Sequence, residues 1–244
     1  MSTENSKVFK KDNLDLYLKE LAKEYKKLVG KNMPAEIILI GGAAIIESYG
    51  FRDMTTDVDA IITAASAMKD AINLIGDRYD LPHGWLNADF QKTDSYSNKL
   101  LQYSSFYKTF NQVLNVRIVT GEYLIAMKLR AFRQYKNDLS DVIGVLAEHE
   151  KRGDGITIER IDRAVENLYG SWDGFPDGAQ DFIVKTLTAS DYESVYELVR
   201  KNEKDAKEQL VEFQKNYPGI LKGENVNDVL HNLRAKRKRD EQER

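Results

Sequence analysis

The 244-residue sequence contains no cysteine, three histidines, and no apolar run of the roughly 18 residues that a membrane-spanning helix needs. Without cysteine the chain can form no disulfide, no thiol nucleophile and no cysteine-ligated zinc or iron–sulfur centre. The first 13 residues are polar and lack the apolar segment of a secretory signal peptide. We therefore expect a cytoplasmic protein that has no membrane partner.

Charge of neither sign dominates the sequence. The 36 basic and 39 acidic residues leave a net charge of −3, so the composition does not predict a general attraction to nucleic acid. A basic run from Arg234 to Arg239 can contact nucleic acid, although such an ending is more often a solvated tail. His83 has no second histidine near it in the sequence, which indicates a surface residue rather than a metal ligand.

The most informative stretch is Ile37 to Ile62, IILIGGAAIIESYGFRDMTTDVDAII. Its apolar start predicts a strand over Ile37–Ile40 that is buried on both faces. Gly41 and Gly42 then allow a tight turn and a close approach of a ligand to the backbone. We expect a helix over Ala43–Tyr49, whose first-turn N–H groups make an anion site beside the glycines.

Two carboxylates, Asp57 and Asp59, begin the second predicted strand. Side chains alternate along a strand, so both carboxylates point to the same face, with Cα atoms roughly 6.6 Å apart. Such a pair is costly unless a cation neutralises it, and it suits Mg²⁺, which prefers carboxylate, water and phosphate oxygens. A phosphate-binding turn beside a metal-binding pair predicts phosphoryl or nucleotidyl transfer.

This ordered set resembles the signature of the DNA polymerase β-like nucleotidyltransferase superfamily. With Arg52 and Thr55-Thr56 before the carboxylates, it looks closest to the minimal nucleotidyltransferases that include the AbiEii-type toxins. The stretches LPHGWLN at Leu81–Asn87 and EYLIAMKLRAFRQYKNDLSDVIGVL at Glu122–Leu146 are similar to the same subgroup.

The resemblance implies an α+β fold with a mixed sheet, and an Mg²⁺-dependent enzyme that moves a nucleoside monophosphate from a nucleoside triphosphate to an acceptor. The acceptor would be tRNA, a small molecule or a protein. The resemblance also implies a role as the toxin of a toxin–antitoxin pair, with an antitoxin as partner.

The same resemblance assigns roles to further residues. Lys128 would face the site and contact nucleotide phosphate, and Asp138 or Asp141 would pair with Lys128 or act as base. Asp138 and Asp141 also fit a plainer interpretation, because acidic residues in a first helical turn are favoured by the helix dipole. Arg52 is either a triphosphate contact or a surface arginine, alone or paired with Asp53. Thr55 and Thr56 either simply precede the strand, or one of their hydroxyls orients Asp57. Thr56 is also expected to contact the nucleotide.

One feature departs from the superfamily pattern. Many members carry a third carboxylate on a strand that corresponds here to Val113–Val119, yet its polar residues are Asn115 and Arg117. The alternative hypothesis is therefore a catalytically inactive module of the same fold that binds nucleotide, nucleic acid or a protein partner.

The remaining sequence predicts mostly helices. A first helix runs to about Val29, with one apolar stripe. Trp85 is expected to anchor the polar stretch after Leu81, and Asn87 to form a turn there. A charged, glycine-containing segment at 150–155 divides the chain into a nucleotidyltransferase-like domain, 1–150, and a helical domain, 151–244. Asn137 and Ser190 are the predicted N-caps of two later helices.

Overall fold

The computed structural model describes residues 7–223 and 225–242. The strands are β1 Ala35–Leu39, β2 Val58–Thr63, β3 Leu86–Asn87, β4 Ser104–Phe110 and β5 Leu114–Val119. The helices are α1 Lys11–Val29, α2 Gly41–Ser48, α3 Ala67–Tyr79, α4 Gly121–Ala131, α5 Asp138–Lys151, α6 Ile158–Tyr169, α7 Ala179–Leu187, α8 Tyr192–Asn216 and α9 Val226–Gln242.

The five strands form one mixed sheet in the order β3-β2-β1-β5-β4. Strand β1 pairs antiparallel with β2 and parallel with β5, while β3 runs parallel to β2 and β4 antiparallel to β5. The predicted α+β fold with a mixed sheet is confirmed. Ile37, Ile38 and Leu39 are consecutive and all buried, as expected for a strand covered on both faces.

Helix α1 and the segment around Trp85 close one side of the core. The apolar stripe of α1 is buried at Leu14, Leu18 and Leu21, which confirms the helical period. Trp85 is 2% exposed, and its indole N–H donates to the carbonyl of Ile72 over 3.1 Å. The anchoring interpretation of Trp85 is therefore correct.

The hydrophobic core does not end at the predicted boundary near residue 150. One continuous cluster runs from Phe9 to Ile183 and includes buried residues of α6 and α7. A smaller cluster in α8 and α9 is formed by Ala206, Leu210 and Leu230. The division into 1–150 and 151–244 stays a prediction.

Three further expectations concern the N-cap of α8, the two ends of the chain and membrane-spanning helices. The N-cap of α8 is Asp191, whose carboxylate accepts from the N–H groups of Glu193 and Ser194, so the predicted cap at Ser190 is wrong. Residues 1–6 of the polar N-terminal segment lie outside the described residues, as do the side chains of residues 237 and 238 in the basic run. No described helix combines the length and apolarity needed to cross a membrane.

Candidate active site

The glycine turn between β1 and α2 forms one wall of the site. The helix begins at Gly41, two residues earlier than predicted. Gly41 itself adopts φ +54°, a left-handed backbone conformation that favours glycine and forms the turn between β1 and the helix. The first hydrogen bond of the turn runs from the N–H of Ala44 to the carbonyl of Ile40 over 3.2 Å. The preceding N–H groups of Gly41, Gly42 and Ala43 have no partner within the helix and can bind an anion.

Asp59 lies against this turn, and Asp57 is linked to it through Thr55. Asp57 immediately precedes β2, which begins at Val58, and Asp59 is its second residue. A Cβ atom added to Gly41 would lie 3.5 Å from Asp59 Oδ2. A Cβ atom added to Gly42 would clash with Thr55 Oγ1, the hydroxyl that donates to Asp57 Oδ1 over 3.3 Å. Gly42 is therefore needed for the close approach of the turn to Thr55, whereas Gly41 has room for a Cβ atom and is favoured by its positive φ.

The surroundings of the carboxylates fit a divalent cation. Burial of Asp59 and the neighbouring charge of Asp57 both raise the pKa of Asp59 above its ordinary 3.8. The nearby cations Lys128, Arg52 and Arg133 form their ion pairs with Asp138 and Asp141, and within the described residues none pairs with Asp57 or Asp59. Two adjacent, unneutralised carboxylates with one half-buried are stabilised by a bound cation.

The third carboxylate of the superfamily pattern has no counterpart on β5. Continuing the strand registers by one residue places Val119 level with Asp59 and on the same face of the sheet. Val119 is 2% exposed and apolar. Arg117 donates to Ser104 Oγ over 2.8 Å, and Asn115 Oδ1 accepts from Thr109 over 2.7 Å. Within residues 7–223 and 225–242 no three acidic, histidine or cysteine side chains are arranged to hold a metal.

A buried ion network lies beside the carboxylate pair. Lys128 Nζ lies 2.8 Å from Asp138 Oδ1 and 2.8 Å from Asp141 Oδ2. Arg133 Nε is 2.7 Å from Asp138 Oδ2, and Arg52 Nη1 is 2.8 Å from Asp141 Oδ2. Asp138 is 0% exposed and Asp141 1%. The network thus holds two aspartates of α5 between three cations from other parts of the chain.

The pKa values in the network follow from this arrangement. Burial by itself would raise the pKa of Asp138, but the charges and hydrogen bonds of Lys128 and Arg133 outweigh it and hold the pKa well below 3.8. Burial opposes the charge on Lys128, yet Asp138 and Asp141 raise its pKa above 10.5. Lys128 and Asp138 are therefore charged at neutral pH. The expected pairing of Lys128 with Asp138 or Asp141 is observed with both aspartates.

The network is also electrostatically coupled to the site. The positive charges of Lys128 and Arg133 lower the pKa of Asp59, although burial and Asp57 dominate. Arg52 Nη2 lies 3.1 Å from the position that a Cβ atom of Gly42 would occupy. The structure brings together these residues that the sequence singled out: Gly41, Gly42, Arg52, Asp57, Asp59, Lys128, Asp138 and Asp141. Thr56 is exposed, and Thr55 rather than Thr56 contacts Asp57.

The first turn of α5 is held from a distant part of the chain. Asn137 occupies the predicted N-cap position, but its side chain makes no cap bond. Glu203 of α8 instead accepts from the N–H groups of Leu139 over 2.8 Å and Ser140 over 3.2 Å, and from Ser140 Oγ over 2.6 Å. Burial raises the pKa of Glu203 to about 7 against these three hydrogen bonds.

Sequence reasoning missed Arg133 and Glu203. Arg133 follows Lys128 closely and precedes Asp138, so its position in the stretch FRQYKND was a usable signal. Glu203 had no such signal, because it stands among other charged residues on a polar helix and 64 residues after Leu139.

The mixed sheet, the glycine turn and the carboxylate pair together define a nucleotidyltransferase-like core. The family model described as "Nucleotidyltransferase of unknown function (DUF6036)" matches residues 17–149, which is more than half of the 244 residues. The chain belongs to this nucleotidyltransferase family. No curated protein and no solved structure was found to match it.

Proposed function

We propose that the protein is an Mg²⁺-dependent nucleotidyltransferase that moves a nucleoside monophosphate from a nucleoside triphosphate to an acceptor. The observation that carries the proposal is the contact between the phosphate-binding turn and the carboxylates, with Asp59 Oδ2 3.5 Å from the Cβ position of Gly41. The family match supports the general enzyme class.

Asp57 and Asp59 are the residues that would hold Mg²⁺. Magnesium is commonly bound by one or two carboxylates together with substrate phosphates, so a pair of carboxylates without a third is a sufficient protein contribution. The metal, when bound, supplies charge stabilisation for the phosphate oxygens. Thr55 holds Asp57 in position through its hydroxyl.

The other residues of the site bind and orient the nucleotide. The N–H groups of Gly41 and Gly42 point at phosphate oxygens, and Thr56 is an exposed hydroxyl beside Asp57 that adds to nucleotide binding. Lys128 and Arg52 balance the negative charge of the triphosphate from the edge of the buried network.

In the reaction an acceptor oxygen forms a bond to the α-phosphorus. The bond from that phosphorus to the bridging oxygen breaks, and pyrophosphate leaves with the bonding electrons. The acceptor proton passes to solvent. Asp138 and Asp141, whose oxygens accept from Lys128, Arg133 and Arg52, position these cations rather than acting as base.

The test compares Asp57→Asn with Asp53→Asn. Asp53 is an exposed residue of the same loop, so its variant removes the same charge away from the turn. Each protein is incubated with Mg²⁺, labelled nucleoside triphosphates and cell extract, and labelled acceptor and pyrophosphate are measured. We expect the wild type and Asp53→Asn to release pyrophosphate and Asp57→Asn to release at least about 100-fold less.

Equal release by Asp57→Asn and the wild type would refute the assigned role of the carboxylates. Nucleotide binding without pyrophosphate from the wild type, across extracts and all four nucleotides, would instead support the inactive binding module.

The proposal includes cytoplasmic location, an acceptor that is tRNA, a small molecule or a protein, and a toxin role with an antitoxin partner. The toxin role is supported by the similarity of residues 37–62 and 122–146 to AbiEii-type nucleotidyltransferases. Induced expression should arrest growth for the wild type and not for Asp57→Asn. Mass spectrometry of the labelled extract identifies the acceptor.

A further inference from the structure

Helix α8 contacts the candidate active site although it lies outside the segment that matches the family model. That segment ends at residue 149, and α8 spans Tyr192–Asn216. Near its N-terminal end, Tyr196 packs edge-on against Phe51 with ring centroids 5.8 Å apart. Two turns further on, Glu203 binds the first turn of α5. One helix therefore contacts both the loop that carries Arg52 and the turn that carries Asp138.

The contact of Glu203 with α5 is buried and uses both of its carboxylate oxygens. Glu203 is 3% exposed, and its two carboxylate oxygens accept three hydrogen bonds from Leu139 and Ser140. A carboxylate at this position satisfies N–H groups that a helix leaves without a partner, and it interacts favourably with the positive end of the helix dipole. The contact therefore joins the first turn of α5 to α8.

We infer that Glu203 is a positioning residue of the active site, which sets the place of Lys128 and Arg52 through the first turn of α5. This inference rests on the proposed function, because it treats those two cations as part of the nucleotide site. Leu139 and Ser140, which Glu203 holds, lie between Asp138 and Asp141, which hold the cations. The inferred chain of contacts runs from Glu203 to α5, from α5 to its two aspartates, and from them to the cations.

The geometry makes this chain sensitive to small movements. The ion pairs of Lys128 are both 2.8 Å long, so a shift of the turn by about 1 Å takes them out of hydrogen-bond range. Misplacement of a catalytic group by about 1 Å can lower a rate roughly 100-fold. Removal of an outer partner that orients an active-site group typically lowers activity about 10- to 100-fold.

A matched control is available on the same helix. Glu203 and Asn202 both line a cavity of about 570 Å³ that is bordered by α7, α8 and α9. Asn202 is exposed and makes no hydrogen bond to α5 among the described residues. Asn202→Ala therefore alters the cavity and leaves the α5 contact intact.

The experiment measures kcat and KM for nucleotide transfer in Glu203→Ala, Glu203→Gln and Asn202→Ala. We expect Glu203→Ala to lower kcat about 10- to 100-fold with a smaller change in KM, because the cations are displaced and the turn that binds phosphate is not. Glu203→Gln keeps a carbonyl oxygen for the two N–H groups and should recover most of the rate. Asn202→Ala should stay within about 2-fold of the wild type.

A double-mutant cycle adds a second criterion. Ser140→Ala removes one of the three bonds to Glu203, so it should have little further effect in the Glu203→Ala protein. Effects that multiply, or an equal loss in Asn202→Ala and Glu203→Ala, would overturn the inference.

A readout that needs no turnover separates this inference from the proposed function. The carboxyl of Asp138 can be titrated by NMR, and Glu203→Ala should raise its pKa because its bonds with Lys128 loosen. An unchanged Asp138 titration would overturn the inference even if transfer is observed. Absence of transfer by the wild type, together with a raised Asp138 pKa in Glu203→Ala, would refute the proposed function and leave the positioning contact established.

Discussion

Replacing Lys128 by methionine tests how the buried charges are balanced. Methionine has a similar length and no charge, and the Lys128 side chain is only 11% exposed. Its removal leaves Asp138 and Asp141 buried with one arginine each, Arg133 and Arg52. Breaking a buried ion pair usually costs about 3–5 kcal/mol. Because each aspartate keeps one partner, we expect the lower end, about 3 kcal/mol of unfolding free energy.

The measurement is urea unfolding at pH 7, with Lys136→Met as the control. Lys136 is exposed and forms no ion pair among the described residues, so its replacement should cost less than about 0.5 kcal/mol. A loss below about 1 kcal/mol in Lys128→Met, or an equal loss in both variants, would refute the view that Lys128 neutralises the two buried aspartates.

Lys128→Met should also change the pH at which the protein unfolds in acid. The pKa of Asp138 lies well below 3.8 in the folded protein, so its contribution to stability is present above pH 3.8 and is lost as the pH falls through the folded value. Without Lys128 the folded pKa rises towards 3.8, so Asp138 contributes less to the stability of the variant at every pH above the folded value. Acid unfolding followed by circular dichroism should therefore start at a higher pH in Lys128→Met than in the wild type.

Two further predictions concern α2. Gly42→Ala places a methyl group against Thr55 Oγ1. We therefore expect the free energy of unfolding in urea to fall by about 1–3 kcal/mol and nucleotide transfer to weaken. An unchanged urea midpoint would contradict the clash. Burial raises the pKa of Glu47 above its ordinary 4.5, and its Oε1 has no hydrogen-bond partner among the described residues. The folded state then holds the proton more tightly than the unfolded state, so stability falls as the pH rises above 4.5. Glu47→Gln should remove this slope, and persistence of the slope would assign it to another group.

The sequence alone was sufficient for the elements whose signals are local. A continuous apolar run predicts β1, paired glycines predict the turn, and the alternation of a strand puts Asp57 and Asp59 on one face. These features depend on backbone geometry within a few residues. The bounds of β1, α2 and β2 in the structure lie within two residues of the predicted ones, with Asp57 directly before β2 and Asp59 in it.

The contacts between distant segments were beyond sequence reasoning. The stretch around Lys128 suggests that Lys128 pairs with Asp138 or Asp141. Only the fold shows that Lys128 pairs with both aspartates, and that Arg133 and Arg52 each pair with one of them. Local sequence predicts a capping residue next to the helix it caps, where caps usually lie, and not one on a distant helix.

For α5, the sequence determined the helix and its acidic first turn, and the tertiary structure decided what holds that turn. Glu203 reaches it because α8 packs across α5. The sequence around a charged residue on a polar helix does not predict its partner, because that partner depends on how the helices pack and not on neighbouring residues in the chain. The carboxylate pair follows from strand alternation, whereas the buried charges around it follow only from the fold.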